Sequence, residues 1–325
     1  MWLKPPSFWQ QEASIYTRAL SPLSCLYQMI GRKRYHGVTP QSINAPVVCV
    51  GNITVGGAGK TPVALAIARY FLQEGKAPVF LSRGYGGSMN GPMKVDPSIH
   101  SYKEVGDESL LLARVAPTWI AKDRVKGAES AVSKGADVII MDDGFQNPSL
   151  KKDISFLVVD GLFGFGNGKV FPAGPLRESI ADAFSRADAC VIVGEDQHKI
   201  RQRIPSHLPV LSASLLPLQG DDFMGEKVVA FAGIGNPRKF FATVESLGAT
   251  LLKTCIFPDH YPYKGPEIQA LISSAEKKQA IVMTTEKDWL RLPPLLQAKV
   301  ICLPVSITWQ QPEILERLLN NVMKP

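Results

Sequence analysis

Apolar residues along this chain gather in short dense runs separated by stretches of mixed character. Residues 47–50 are Val47-Val48-Cys49-Val50, and comparable runs fall at 79–81, 138–141, 154–159 and 190–193. Runs that are short and apolar at every position suit parallel strands buried on both faces. Helix-like segments separate several of them, and Pro62-Val63-Ala64-Leu65-Ala66-Ile67-Ala68 reads as a helix with proline in its first turn. This alternation predicts an α/β fold over residues 41–220, a doubly wound, mostly parallel sheet of the P-loop type. Pro, Gly and paired Asp interrupt the pattern at 217–225. Further runs at 228–232, 254–257, 280–284 and 300–303 then predict a smaller second α/β domain over residues 221–325.

Residues 1–40 differ from the rest. Trp2, Phe8, Trp9, Ile15, Tyr16, Leu20, Leu23, Leu26, Tyr27 and Ile30 mix with polar positions at loosely helical spacing, and the segment ends on Gly31-Arg32-Lys33-Arg34-Tyr35-His36. One reading is an amphipathic helix with interfacial aromatics and a basic end, lying in a lipid headgroup layer. The other is a helix packed on the protein's own core. Pro5, Pro6 and Pro22 are expected to limit its length.

At 325 residues the chain is long enough for two cores, and 45% apolar with 20% charged residues excludes a disordered or collagen-like class. A net charge of +7 and a pI near 9.1 favour acidic partners: nucleotides, nucleic acid or an anionic membrane. No zinc-finger, RNP-like or basic-helix pattern accompanies the charge, which sets nucleic acid aside. The five cysteines contain no CxxC pair, so reduced thiols in a reducing cytosol are expected. Lys4, Pro5, Pro6, Gln10, Gln11 and Glu12 break up the amino terminus, and no segment approaches the ~20 apolar residues of a membrane span. A cytoplasmic chain is expected.

The chemistry concentrates at strand ends. Thr54-Val55-Gly56-Gly57-Ala58-Gly59-Lys60-Thr61 lies between a strand and a helix and fits the P-loop, except that Thr54 stands where the general pattern has its first glycine. Backbone N–H groups of such a loop cradle the phosphates of ATP, Lys60 would reach the β- and γ-phosphates, and Thr61 would ligate Mg²⁺. Val138-Ile139-Ile140-Met141-Asp142-Asp143 has the form of a Walker B strand whose carboxylates meet that Mg²⁺, with either Asp142 or Asp143 as the direct ligand. Arg177, in a Pro/Gly-rich loop, reads as a charge stabiliser for the transferring phosphoryl group or as a solvated arginine. Arg83 reads as a phosphate contact or as another solvated arginine, and Gln146 as holder of a Mg²⁺-bound water or as a turn amide. A GTPase would carry Asn-Lys-x-Asp, whereas Thr285-Glu286-Lys287-Asp288 has no such Asn, which favours ATP.

These motifs in this order, together with Arg83-Gly84-Tyr85-Gly86-Gly87, Gly106-Asp107-Glu108, Asp142-Asp143-Gly144-Phe145-Gln146, Pro172-Ala173-Gly174-Pro175-Leu176-Arg177-Glu178 and Asp259-His260-Tyr261, resemble the tetraacyldisaccharide 4′-kinase family. Ser109 and Asn147 depart from it where many members have Pro and His. The resemblance implies transfer of the ATP γ-phosphate to the 4′-hydroxyl of a tetraacylated glucosamine disaccharide 1-phosphate. It also implies a glycolipid substrate in the cytoplasmic leaflet of the inner membrane, hence a peripheral membrane role for residues 1–36. By themselves Asp107 reads as a helix N-cap and His260 as a loop histidine. The resemblance pairs them, with Asp107 accepting the hydroxyl proton and His260 orienting it from the second domain.

Overall fold

The computed structural model describes residues 6–11, 14–218 and 223–323. Trp2, Lys4, Pro5, Glu12 and the Asp221-Asp222 pair lie outside them. In chain order the first part holds α1 (Ile15–His36), β1 (Val47–Gly51), α2 (Lys60–Gln73), β2 (Pro78–Ser82), β3 (Met93–Lys94), α3 (Tyr102–Val105), α4 (Asp107–Ala113) and β4 (Thr118–Ile120). Then come α5 (Arg124–Val132), β5 (Val138–Asp142), β6 (Ile154–Asp160), α6 (Ile180–Phe184), β7 (Ala189–Val193) and β8 (Val210–Pro217). The remainder is β9 (Lys227–Ala232), α7 (Pro237–Ser246), β10 (Thr250–Ile256), α8 (Gly265–Glu276), β11 (Ile281–Thr285), α9 (Glu286–Trp289), α10 (Pro294–Gln297), β12 (Ile301–Leu303), β13 (Val305–Trp309) and α11 (Pro312–Val322).

Nine strands form one sheet in the order β13-β8-β7-β6-β1-β5-β2-β4-β3, parallel except for β3 and β13 at its two edges. The dense apolar runs become its centre because both faces are covered. Val48 and Val50 of β1 pack with Val63, Ile67 and Phe71 of α2, while Val47 and Cys49 face the side covered by Val125 and Ala128 of α5. β5 lies directly beside β1, with Val50 opposite Asp142. That register sets the Walker B carboxylate next to the loop that follows β1, at the carboxyl edge where α/β sheets bind ligands.

A second sheet, β10-β9-β11-β12, is parallel throughout. Phe240, Phe241 and Val244 of α7 cover one face, and Ile268, Leu271 and Ile272 of α8 the other.

Two expectations need correction. The small domain does not run from 221 to 325, because after β12 the chain returns to the large sheet: β13 pairs antiparallel with β8, and Ile307, Leu315 and Leu319 join the core over α2. β8 and β13 escape the apolar-run rule because they lie at and near the sheet edge, where burial is partial. Pro22 does not limit α1, which runs through it and is 22 residues long in all. The Ser21 hydroxyl, next to the proline, donates to the Thr17 carbonyl one turn back at 2.7 Å.

α1 is held by few contacts. Its inner face buries Thr17 and Ser24; the Ser24 hydroxyl donates to the Val170 carbonyl (2.8 Å) and accepts from the Ala173 amide (3.0 Å), and Arg32 pairs with Asp182 at 2.9 Å. Its other face leaves Tyr16, Leu23, Leu26, Tyr27 and Ile30 exposed. No helix among the described residues is long and apolar enough to cross a membrane.

Candidate active site

The P-loop leaves β1 and enters α2 at Lys60, with Gly59 as N-cap at φ 86°, a conformation that favours glycine. Its neighbour is the loop carrying Arg177. The Val55 amide donates to the Pro175 carbonyl (2.8 Å), the Arg177 amide donates to Ile53 (2.6 Å), and Thr54 bridges to Leu176. The Asn52 side-chain amide donates to the Thr54 carbonyl and hydroxyl, so Thr54 fills the place of the first glycine while its side chain is fixed. Val55, Gly56 and Gly57 remain exposed around Ala58, which is buried.

Around this loop the charges interlock. Lys60 donates to the Asn52 side-chain oxygen at 3.2 Å and lies 3.7 Å from Asp143. Thr61 donates to Asp142 at 3.0 Å through Oδ2, leaving Asp142 Oδ1 buried with no hydrogen-bond partner. Burial, with the Glu108 carboxylate nearby, pushes Asp142 up to about 7. An orphaned, poorly solvated carboxylate oxygen beside a P-loop threonine suits a divalent cation, which also takes ligands from nucleotide phosphates and water. Among the described residues no group of three His, Cys, Asp or Glu could hold a metal alone.

Asp143, at φ 55°, turns the other way. Arg177 Nη1 donates to both its oxygens (3.0 and 3.2 Å), and burial, which would raise its pKa, is outweighed by Lys60 and Arg177, which lower it. Of the two Walker B carboxylates the geometry therefore favours Asp142 as the one open to a metal. Gln146 sits beside them but is engaged: its side-chain nitrogen donates to the Asn52 carbonyl (2.8 Å) and Glu178 (2.9 Å), and its oxygen accepts from Arg177 (3.3 Å). It acts as a strut between three loops. Glu178 is further held by Arg186. Arg83 is exposed past the carboxyl end of β2 and stands apart from this network.

The second sheet meets the first at several places among the described residues. Gly235 approaches the P-loop so closely that a Cβ there would lie 2.8 Å from the Gly57 amide nitrogen, and Lys239 of α7 pairs with Asp160 of β6 at 2.6 Å. His260, at φ 56°, reaches Asp107, with Nδ1 at 3.0 and 3.2 Å from the two carboxylate oxygens. Asp107 is the first residue of α4 and its N-cap is Gly106, so the N-cap expected from sequence lies one residue earlier. Its carboxylate is 3% exposed, yet its pKa is lowered to about 2, because the burial that would raise it is outweighed by His260, Lys287 and Arg291. Arg291 Nε lies 3.2 Å from Asp107. Both Asp107 and His260 border a cleft of about 470 Å³ that also touches Tyr85, Tyr102, Lys103 and Arg291.

Sequence reasoning named Asn52, Glu108, Lys287 and Arg291 without a role, or not at all. Lys287 pairs with Glu108 at 2.9 Å across the two sheets, and the fully buried Arg291 also binds Asp288 and the Gly233 carbonyl. Their signal was weak. Charged residues in short motifs look solvated until the second sheet covers them.

Comparison with known proteins agrees with this geometry. The family described as tetraacyldisaccharide-1-P 4′-kinase matches residues 16–324. A tetraacyldisaccharide 4′-kinase of Paramagnetospirillum magneticum is 47% identical, over 98% of this chain and 99% of the relative, and one of Rhodospirillum centenum is 46% identical over 99% and 97%. Among solved structures, "apo" form LpxK from Aquifex aeolicus in complex with ATP is 28% identical with a TM-score of 0.78, over 95% of this chain and all of that one.

Proposed function

The chain belongs to the tetraacyldisaccharide 4′-kinase family, and from that premise we propose how its residues divide the reaction. It is an enzyme that moves the γ-phosphate of ATP onto the 4′-hydroxyl of tetraacyldisaccharide 1-phosphate, in lipid A biosynthesis. In the step, the 4′-oxygen forms a bond to the γ-phosphorus, the bond from that phosphorus to the β–γ bridging oxygen breaks, and ADP leaves.

The P-loop amides from Gly56 to Thr61 and the Lys60 ammonium hold the triphosphate, while the Val55 amide is taken by the Pro175 carbonyl. Thr61 and Asp142 would hold Mg²⁺, which supplies charge neutralisation on the phosphate oxygens. Arg177, fixed by Asp143 and Gln146, stabilises charge on the transferring group from the opposite loop. Asp107 takes the 4′-hydroxyl proton, and the cleft beside Tyr85 and Lys103 receives the sugar headgroup. The observation that carries this assignment is the Asp107–His260 contact at 3.0 Å, which exists only while the second sheet sits over the first.

α1 holds the enzyme peripherally on the cytoplasmic face of the inner membrane, where a glycolipid acceptor resides. Its exposed Leu23, Tyr27 and Ile30, continuous with Phe171 against Tyr27, face the lipid, and Lys33 and Arg34 face anionic headgroups, while Arg32 is held by Asp182.

For the base assignment, Asp107→Ala and His260→Ala are each expected to lower turnover ~10²–10⁴-fold with ATP binding kept. The double variant should be scarcely worse than the poorer single one, since groups acting as a unit are not additive. Multiplicative losses, or lost ATP affinity in either single variant, would refute the pairing.

A further inference from the structure

Beyond the Asp107–His260 contact lies a third charged group from the second sheet. Lys287, on α9, places Nζ 3.3 Å from His260 Nε2, 2.9 Å from Glu108 and 4.0 Å from Asp259. Its side chain is 19% exposed, and burial, which would lower its pKa, is outweighed by Glu108, Asp107 and Asp259, which raise it. It therefore stays an ammonium. An ammonium carries three N–H donors and no acceptor.

That settles which ring nitrogen of His260 holds hydrogen. Nε2 faces a group that can only donate, so Nε2 is the acceptor. Nδ1 faces two carboxylate oxygens of Asp107 at 3.0 and 3.2 Å, so Nδ1 carries the hydrogen and donates. A hydrogen on Nε2 would point at the Lys287 ammonium.

We propose that Lys287 is a positioning residue that holds His260 as the neutral Nδ1–H tautomer, so that Asp107 receives a fixed hydrogen bond from the ring. Lys287 does so only when α9 is docked on α4, because Glu108 anchors it from the first sheet. Closing the two sheets thus sets the tautomer as well as the distance. A fixed donor at Nδ1, with the Glu108 amide on Oδ1 and Arg291 beside Oδ2, holds the Asp107 carboxylate in one orientation for the 4′-hydroxyl, and a neutral ring adds no positive charge beside it as the proton moves to Asp107.

This proposal rests on Asp107 being the base, and its test is independent of turnover. The chain has five histidines, so protein labelled with ¹⁵N only at histidine gives at most five ring patterns, and His260→Ala identifies the one in question. Without substrate at neutral pH, the His260 ring is expected to give a pyrrole-type shift at Nδ1 and a pyridine-type shift at Nε2. Lys287→Met should abolish that single-tautomer pattern, and Lys287→Arg, which keeps a charged donor, should restore it. In kinetics Lys287→Met should lower kcat by about 10- to 100-fold, the range for groups that orient a functional histidine through its other nitrogen, with KM for ATP unchanged. An Nε2–H or doubly protonated pattern in the unaltered protein overturns the proposal even if Lys287→Met does not fold. An unchanged pattern in a folded Lys287→Met does so too. If instead Asp107→Ala retains turnover while the pattern behaves as expected, the base assignment fails and the tautomer assignment stands.

Discussion

Replacing Asp142 by Asn is expected to stabilise the metal-free protein at neutral and alkaline pH while abolishing catalysis. Asp142 is 3% exposed, has one oxygen without a partner, and shares its surroundings with the Glu108 and Asp143 carboxylates. Its pKa rises from 3.8 to about 7 in the folded chain. Between these values the folded state holds a proton that the unfolded state has released, so stability falls as pH rises through that window and the loss is complete above about 7. At about 1.4 kcal/mol for each tenfold in proton affinity, the penalty at pH 8 is on the order of 4 kcal/mol. Asn carries no charge and its side-chain oxygen can still accept from Thr61. The assay is urea denaturation in the presence of a chelator. At pH 8 the Asn variant should be the more stable by up to on the order of 4 kcal/mol, and below pH 4 the two should converge. Adding ATP and Mg²⁺ should stabilise the unaltered protein far more than the variant, since ligand binding to the folded state alone raises its stability. A variant that is less stable at pH 8, or a difference that does not change with pH, would refute the reasoning.

Other outcomes follow from the same geometry. Lys60→Ala and Thr61→Ala should lose phosphate transfer while thermal unfolding stays close to that of the parent, because each removes a phosphate or metal contact and little packing; near-normal transfer in both would remove the P-loop from the mechanism. Gly235→Ala should raise KM for ATP roughly 5-fold or more, because its Cβ would meet the Gly57 amide nitrogen at 2.8 Å and the strain falls on the P-loop approach; an unchanged KM would mean that this approach is not needed for nucleotide binding. Replacing Leu23, Leu26 and Ile30 together by Ser should weaken association with anionic vesicles by at least about tenfold in a flotation assay, with turnover on a detergent-dispersed acceptor kept; equal flotation would give α1 a purely structural role.

The legible parts of this protein were those where one physical demand acts on neighbouring residues. A strand covered on both faces must be apolar at every position, so residues 47–50, 138–141 and 154–159 announced β1, β5 and β6. A loop that wraps phosphates needs glycine and lysine at set spacing, so residues 54–61 announced a P-loop between β1 and α2. Motif order supplied the family, and with it the acceptor. The course of residues 304–323 was not legible, because β13 and α11 depend on an edge that another part of the chain leaves open.

The sequence by itself determined the sheet-forming runs, the P-loop, the Walker B carboxylates and membership of a kinase family, since each is written in residues close together along the chain. Only the tertiary structure decided how the charges are shared. It set Asp142 against Thr61 and Asp143 against Arg177, made Gln146 a strut, and brought His260 and Lys287 onto Asp107 and Glu108 from more than 150 residues away. The reason is that electrostatic interactions depend on distance and burial, both set here by how the second sheet seats on the first, and neither is encoded in the spacing of residues along the chain.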